Sequence, residues 1–320
     1  MENLIWITLL ASTLRATTPL LLAALGGLFS ERSGVVNIAL EGIMIFGALA
    51  AALTTQQIEA AVLANNPEAA LGYAPWIGVL AACCAGGLVG WLHAFISIRY
   101  KADQIISGTA INLMAIGLPA VILMGLYDNT STSAVVSNRL PKWDITAWFI
   151  EGGLFDGRLS FSPLVYLAFI MVPVVWFVVF KTAFGLRLRS VGEHPEAADS
   201  VGIDVRRIRY QGVIISGVLA GLAGAYLSIG NFNQFIHEMS SGRGFIALAA
   251  LIFAKWHPIG VLGSTLLFGA FQSAATLLGG GNLLPSTIVE SIPFVLTMLV
   301  LAGFIGRARA PKAIGRPYEK

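Results

Sequence analysis

A chain of 320 residues that is 56% apolar and only 12% charged, with a mean hydropathy of +0.78, lacks the polar surface that water-facing helices and strands require, so a soluble globular domain is excluded. Its 20 Lys and Arg against 17 Asp and Glu leave a net charge of +3. That excess is accounted for by retention of basic loops on one side of a membrane, so it argues for no nucleic acid as a partner and for the lipid bilayer.

Runs of about 20 apolar residues, enough for a helix to cross the hydrocarbon core, fall near 8–29, 36–55, 76–98, 104–126, 163–181, 209–230, 259–279 and 286–305. A shorter run, 240–254, reads as a ninth crossing or as a re-entrant half-helix. The expectation is an all-α polytopic membrane protein of about nine transmembrane helices, within a range of about 8 to 10, forming one transmembrane domain over residues 1–320. The first run carries Arg15 and Pro19 in "TLRATTP" and follows no basic segment, so it stays as a membrane helix rather than a cleaved signal.

In "SGVVNIALEG", Asn37 and Glu41 stand four residues apart and share one helix face, with Gly34 and Gly42 permitting a break or a close helix approach. An ionisable group at the bilayer centre costs roughly 2.5 to 3.5 kcal/mol, so Glu41 faces the protein interior or a wet cavity. Two readings stand: a gate or pathway lining near the cytoplasmic half, or caps on backbone opened by a broken helix, with Glu41 paired to Arg32. Cys83 and Cys84 sit inside an apolar run and read as small packing residues.

"ADQIISGTAINL" carries a second polar stripe: Gln104, Gly108 and Asn112 recur every fourth residue, with Ser107 beside them and Asp103 at the end. Such groups could bind and release a hydroxylated, hydrogen-bonding solute, and helix-to-helix bonding explains them equally well. Residues 127–162 form the longest hydrophilic stretch and are expected to be a large outer loop.

The segment 182–207 contains "GEHPEAADSVGID". Pro195 suits a first helical position, where its missing N–H costs nothing, and Gly202 suits the position just past the end, where positive φ is needed. The predicted helix near 195–201 has Glu196 in its first turn, favoured by the helix dipole, and a small apolar face of Ala197, Ala198 and Val201. That face fits a partner's groove; the alternative is a plain connector.

"GVLAGLAG", residues 217–224, has GxxxG spacing and reads as close helix packing. "GNFNQFIHEM" brings together Asn231, Phe232, Asn233 and Gln234, followed by Phe235 and His237, and reads either as an outer mouth able to stack a ring or as a surface docking an outside partner. Lys255 and His257 mark a cytoplasmic turn, while Arg15, Gln272 and Glu290 are expected to face inward.

The Lys and Arg residues at Arg32, Arg99, Lys101, from Lys181 to Arg209, at Lys255 and from Arg307 to Lys320 are 15 of the 20 and all fall on one side. Glu59, Glu68, Asp128, Asp144, Glu151 and Asp156 fall on the other. The C-terminus is therefore expected in the cytoplasm and, with nine crossings, the N-terminus outside. No phosphate loop, HExxH or GxSxG occurs and His93, His194, His237 and His257 lack ligand spacing, so no catalytic residue, metal site or resident cofactor is expected.

"EAADSVGI" resembles the EAA---G loop of ABC importer permeases, whose short coupling helix inserts into the ATP-hydrolysing subunit. "GLFSERSGVVNIALEGIMIFGA" and "GRGFIALAALIFAKWHPIG" resemble the branched family of importer permeases for simple sugars and nucleosides. Within it, "ERSGVVNIALEG" and "ADQIISGTAINL" are most similar to permeases that serve lipoprotein-type nucleoside-binding proteins; the extra N-terminal helix and GIDLSVG-like motif usual in ribose-type relatives are missing.

The resemblance implies a translocation subunit for a nucleoside or related sugar in the cytoplasmic membrane. Its implied partners are an ATP-hydrolysing subunit carrying ATP and Mg²⁺, a second and different permease, and an extracytoplasmic binding protein. Glu193, Pro195, Glu196, Ala197, Ala198, Val201 and Gly202 would then couple to the ATPase. The rivals are a secondary transporter or channel, which would need its own ion site and commonly inverted repeats, and a membrane-embedded enzyme, which would need clustered Asp, His or Ser.

Overall fold

The computed structural model describes residues 2–69, 71–144, 159–279, 295 and 310–319. These residues are helical almost throughout: α1 (Glu2–Arg32), α2 (Leu40–Leu63), α3 (Ala74–Ala94), α4 (Gln104–Tyr127), α5 (Pro163–Lys181), α6 (Ala183–Glu193), α7 (Pro195–Ser200), α8 (Val205–Ala225), α9 (Arg243–Phe253) and α10 (Pro258–Gly279). Wider π-helical turns extend α3 through Arg99 and α8 through Asn231. Strands β1 (Trp143–Asp144) and β2 (Ser160–Phe161) pair antiparallel, Trp143 opposite Phe161.

Seven helices among the described residues are long and apolar enough to cross a membrane. The expected nine are therefore not all seen: the run at 286–305, with Glu290, lies outside the described residues, and the run at 240–254 folds as the 11-residue α9. Eleven residues span about 16 Å, roughly half the hydrocarbon core, so α9 does not cross alone. The chain between α8 and α9 is irregular and passes through left-handed backbone at Glu238, Ser241 and Gly242.

α8 is the central post. Its most apolar window is 83% buried against 22% for α4, which lies at the rim. The "GVLAGLAG" glycines explain this position: Gly217 lies against the backbone of Gly86 on α3, so a side chain on either would enter the other helix. α1, α2 and α3 all pack on this post.

Helix α2 departs from its predicted run of 36–55. Residues 33–39 are unwound, with Gly34 at φ 93°, and the helix then continues to Leu63. The stretch 56–63 is accordingly helix rather than loop, and Glu59 is buried in it. One end of the molecule gathers Arg32, Lys101, Gly192 and the tail 310–319, whose Ala313 N–H donates to the Gly192 carbonyl and Gly315 N–H to that of Gly34. Lys101 pairs there with Glu319 at 2.8 Å, which holds that carboxyl below its usual range. The other end gathers Glu59, residues 127–144, the β1–β2 pair and residues 231–238.

Candidate functional site

Breaking a helix inside a membrane frees backbone groups that lipid cannot satisfy, so a break persists only where other side chains bond it. At residues 33–39 they do. Gln104 Oε1 accepts from the Val36 N–H at 2.7 Å, and His93 Nε2 donates to the Val36 carbonyl at 2.9 Å. Because that carbonyl can only accept, Nε2 carries the proton, and His93 Nδ1 accepts from the Ser107 hydroxyl at 3.0 Å. Asn112 bridges the exit of the break, its amide donating to the Ile38 carbonyl at 3.0 Å and its oxygen accepting from the Gly42 N–H at 2.9 Å. Asn37 is fully buried and donates to the hydroxyl of Ser216 on α8 at 2.9 Å, while its carbonyl oxygen has no partner.

The structure thus brings Asn37, Gln104, Ser107 and Asn112 together around one unwound segment. Gly108 completes the arrangement, since a methyl there would stand 3.1 Å from the Ala39 nitrogen. His93 and Ser216 belong to the same cluster and were not singled out from sequence. The signal available for His93 was a lone imidazole within a 20-residue apolar run, which has to find partners inside the protein.

Glu41 sits one turn further on and serves a different element. Its Oε1 accepts from the Gly242 N–H at 2.7 Å and the Ser240 hydroxyl at 2.5 Å, and its Oε2 from the Gly244 N–H at 2.6 Å. A carboxylate from α2 therefore caps the N-terminus of the half-helix α9, where orphan N–H groups and the helix dipole both favour an anion. Gly244 lets α9 close on the Glu41 backbone. Glu41 does not pair with Arg32: the Arg32 guanidinium donates twice to the Trp256 carbonyl, at 2.9 and 3.2 Å, and lies over the Phe180 ring.

The far end of α9 is held from α1. Trp256 Nε1–H donates to Glu31, and Lys255 and Trp256 make the turn into α10 with positive φ. His257 follows in that turn, and burial together with the nearby Arg32 charge keeps its imidazole below the ordinary range, so it is neutral at pH 7. Glu31 and Glu41, on either side of the α1–α2 break, hold the two ends of α9. Sequence reading missed Glu31 and Trp256 as a pair because their link spans 225 positions.

The segment 182–205 is built differently. Thr182 caps α6 by accepting from the Gly185 N–H, and Asp204 caps α8 by accepting from the Arg207 N–H. Between them α7 starts at Pro195 and ends before Gly202, whose φ is 84°. The expected face splits: Ala198 and Pro195 turn inward and are buried, whereas Glu196, Ala197 and Val201, the last 74% exposed, turn outward with Gly202. Glu193 is half-buried at the end of α6.

At the opposite end Asn231, Phe232 and Asn233 are exposed and Gln234 half-buried, while Phe235 is fully buried. The backbone here is laced to the preceding loop: the Val136 N–H donates to the Asn233 carbonyl at 2.7 Å, and the Ser133 and Phe235 N–H groups bond across at 3.0 Å. Glu59 fixes that loop by accepting from the N–H groups of Ser137 and Asn138 at 2.9 and 2.6 Å. His237 reaches α4 through the Ile116 carbonyl. No group of three or more His, Cys, Asp or Glu able to hold a metal ion occurs among the described residues.

The family model described as branched-chain amino acid transport system / permease component matches residues 9–302. The chain is 44% identical to the guanosine ABC transporter permease protein NupQ of Bacillus subtilis, over 97% of this chain and 95% of that protein. It is 39% identical to the nucleoside ABC transporter permease protein NupC of Lactococcus lactis, over 98% and 96%. To TsgC13 of Haloferax volcanii, an ABC transporter permease protein provisionally named for glucose, it is 33% identical over 98% and 97%.

Proposed function

The chain belongs to the permease-component family of branched-chain amino acid transport systems, and on that premise we propose that it forms one wall of the pathway by which an ABC importer moves a nucleoside across the cell membrane. It is a membrane-embedded transport component and not an enzyme. The observation that carries the nucleoside reading is the 44% identity to NupQ over nearly the whole of both chains. Uptake of labelled guanosine, other nucleosides, simple sugars and riboflavin by the complex reconstituted in liposomes tests it; a complex that carries sugar or riboflavin and no nucleoside sinks it.

In this reading residues 1–320 are a single permease domain of nine crossings with the C-terminus in the cytoplasm. Support comes from the tail 310–319, which lies at the basic end, opposite the start of α1. Among the described residues seven long helices and a leg made of residues 232–242 plus α9 account for eight passes, and the apolar run 286–305, read from sequence alone, is assigned the ninth. The cytoplasmic loop 182–207 presents Glu196, Ala197, Val201 and Gly202 to an ATP-hydrolysing subunit, which holds the ATP and Mg²⁺; Glu193, Pro195 and Ala198 seat that helix on the permease.

A second, related permease completes the pathway, and an extracytoplasmic binding protein delivers solute to the rim where residues 127–144 meet Asn231, Phe232, Asn233 and Gln234. Asn37, Glu41, Gln104, Ser107, Gly108 and Asn112 act on the pathway as the gate: they hold the α1–α2 break and the start of α9 in one arrangement, and rocking of α6 and α7 changes it. The contacts of the tail with Gly34 and Gly192 supply a physical link between the two places.

A further inference from the structure

A cavity of about 240 Å³ lies between α1, α10 and the junction of α8 with α9, on the side of the molecule where β2 packs. Arg15, Tyr226, Asn231, Arg243, Gln272 and Ser273 supply its polar lining. Resting on the nucleoside reading, we propose that this chamber binds the base of a guanine nucleoside during passage, and that Gln272 and the two arginines read its edge.

Two polar groups on α10 are unmet. Gln272 Oε1 and the Ser273 hydroxyl are buried without a hydrogen-bond partner. Buried acceptors are rarely left so unless water or a ligand meets them, and these two are neighbours on α10 lining one cavity. A ligand that donates from an N–H group satisfies Gln272 Oε1.

The lining carries two anchored arginines as donors. Arg15 is pinned through one Nη2–H to the Ser160 carbonyl at 3.2 Å and lies over the Phe161 ring, and its own carbonyl accepts from the Tyr226 hydroxyl. Arg243 is anchored through Nη1 to the carbonyls of Met239 and Ser240, both at 3.1 Å. Anchored guanidinium groups retain further N–H donors in a planar fork, which matches two adjacent acceptors on a ring edge and stacks on flat rings. Guanine presents such a pair, its ring N7 and exocyclic O6, with N–H donors on its opposite edge, whereas adenine sets a donor beside the same ring nitrogen. Uracil and thymine alternate acceptor, donor and acceptor and so lack the pair, cytosine carries it only on its single small ring, and a simple sugar offers hydroxyls alone.

Size decides which part of the solute enters. Pockets that enclose a whole drug-sized ligand measure roughly 300–1,000 Å³, so a chamber of about 240 Å³ takes the base and leaves the ribose outside. Its apolar walls, Pro19, Leu227 and Leu277, suit the ring faces.

The test uses the full importer, this chain with its second permease, ATPase and binding protein, in proteoliposomes. Gln272→Leu is expected to raise the KM for guanosine about tenfold and to bring the guanosine-to-uridine preference close to one, with an unchanged or higher melting temperature, because it removes an unmet acceptor. Ala16→Leu, which fills the chamber, is expected to change the KM and the preference in the same way. A wild type that transports nucleosides beside variants whose guanosine preference is unaltered would overturn the chamber assignment alone, as would a fall in melting temperature and kcat with the preference retained. A wild type that transports no nucleoside removes the nucleoside reading and the chamber assignment together.

Discussion

Two of the interruptions between helices, each marked by Gly, Ser and carboxylates, have opposite surroundings. At residues 33–42 the backbone is buried and met by side chains from α3, α4 and α8, and Glu41 reaches out to cap α9. At residues 194–204 the backbone is met by its own neighbours, the Ala198 N–H donating to the His194 carbonyl and the Gly202 N–H to that of Asp199, and most side chains face outward. Polar groups in the first place therefore hold the protein together, whereas in the second they leave a surface free.

The contrast is broken most directly at Glu41. Glu41→Ala leaves the N–H groups of Gly242 and Gly244 and the Ser240 hydroxyl without their acceptor inside the protein, and removing one partner of a buried, charge-assisted set costs about 3–5 kcal/mol. The expected outcome is a large loss of thermal stability in detergent-solubilised protein along with loss of transport. A variant as stable as the wild type would place Glu41 with the exposed group instead.

Asn112→Leu follows. It strips both the Ile38 carbonyl and the Gly42 N–H of their partner, at about 2–3 kcal/mol for the pair of unmet groups, and its side chain branches at the same atom as the amide it replaces. Asn112→Asp sharpens the result: the carboxylate keeps an acceptor for Gly42 and loses the donor for Ile38, so it is expected to fall between wild type and Leu in a melting experiment.

These two residues also mark how far the sequence could be read. Glu41, Gln104 and Asn112 are visible as polar residues on apolar runs, and a polar residue within a membrane helix has to face protein or water. Their partners are not visible, because the bonds join positions 68 to 203 apart and, the Ser240 hydroxyl on Glu41 aside, the acceptor or donor is main chain, which every residue carries alike. The short helix at 195–200 was legible for the opposite reason: Pro195 and Gly202 set its ends locally. Its inner and outer faces were not, since which of Ala197 and Ala198 is buried depends on how α6 and α8 place the turn. The extent of α2 was misread because its last turns carry Gln56, Gln57 and Glu59, and the loop that covers Glu59 lies some 78 residues downstream.

Ala198→Trp and Ala197→Trp divide the second region by side. Ala198 is 3% exposed, so the indole overpacks the seat of α7 and is expected to cost about 1–3 kcal/mol, detectable as a lower melting temperature of the permease alone.

Ala197→Trp has the smallest effect on the folded chain and the sharpest functional one. Ala197 is exposed and no hydrogen bond of its side chain is at stake, so stability is expected to stay within about 0.5 kcal/mol of wild type. A small residue facing outward beside Val201 and just before Gly202 leaves room for another surface to approach closely, and an indole removes that room. In the assembled complex, ATP hydrolysis stimulated by the loaded binding protein is therefore expected to fall to the unstimulated rate while the permease melts as before. Loss of stability with coupling retained would reverse the assignment, putting residue 197 with the buried groups at 33–42 and the partner's contact elsewhere on the basic end.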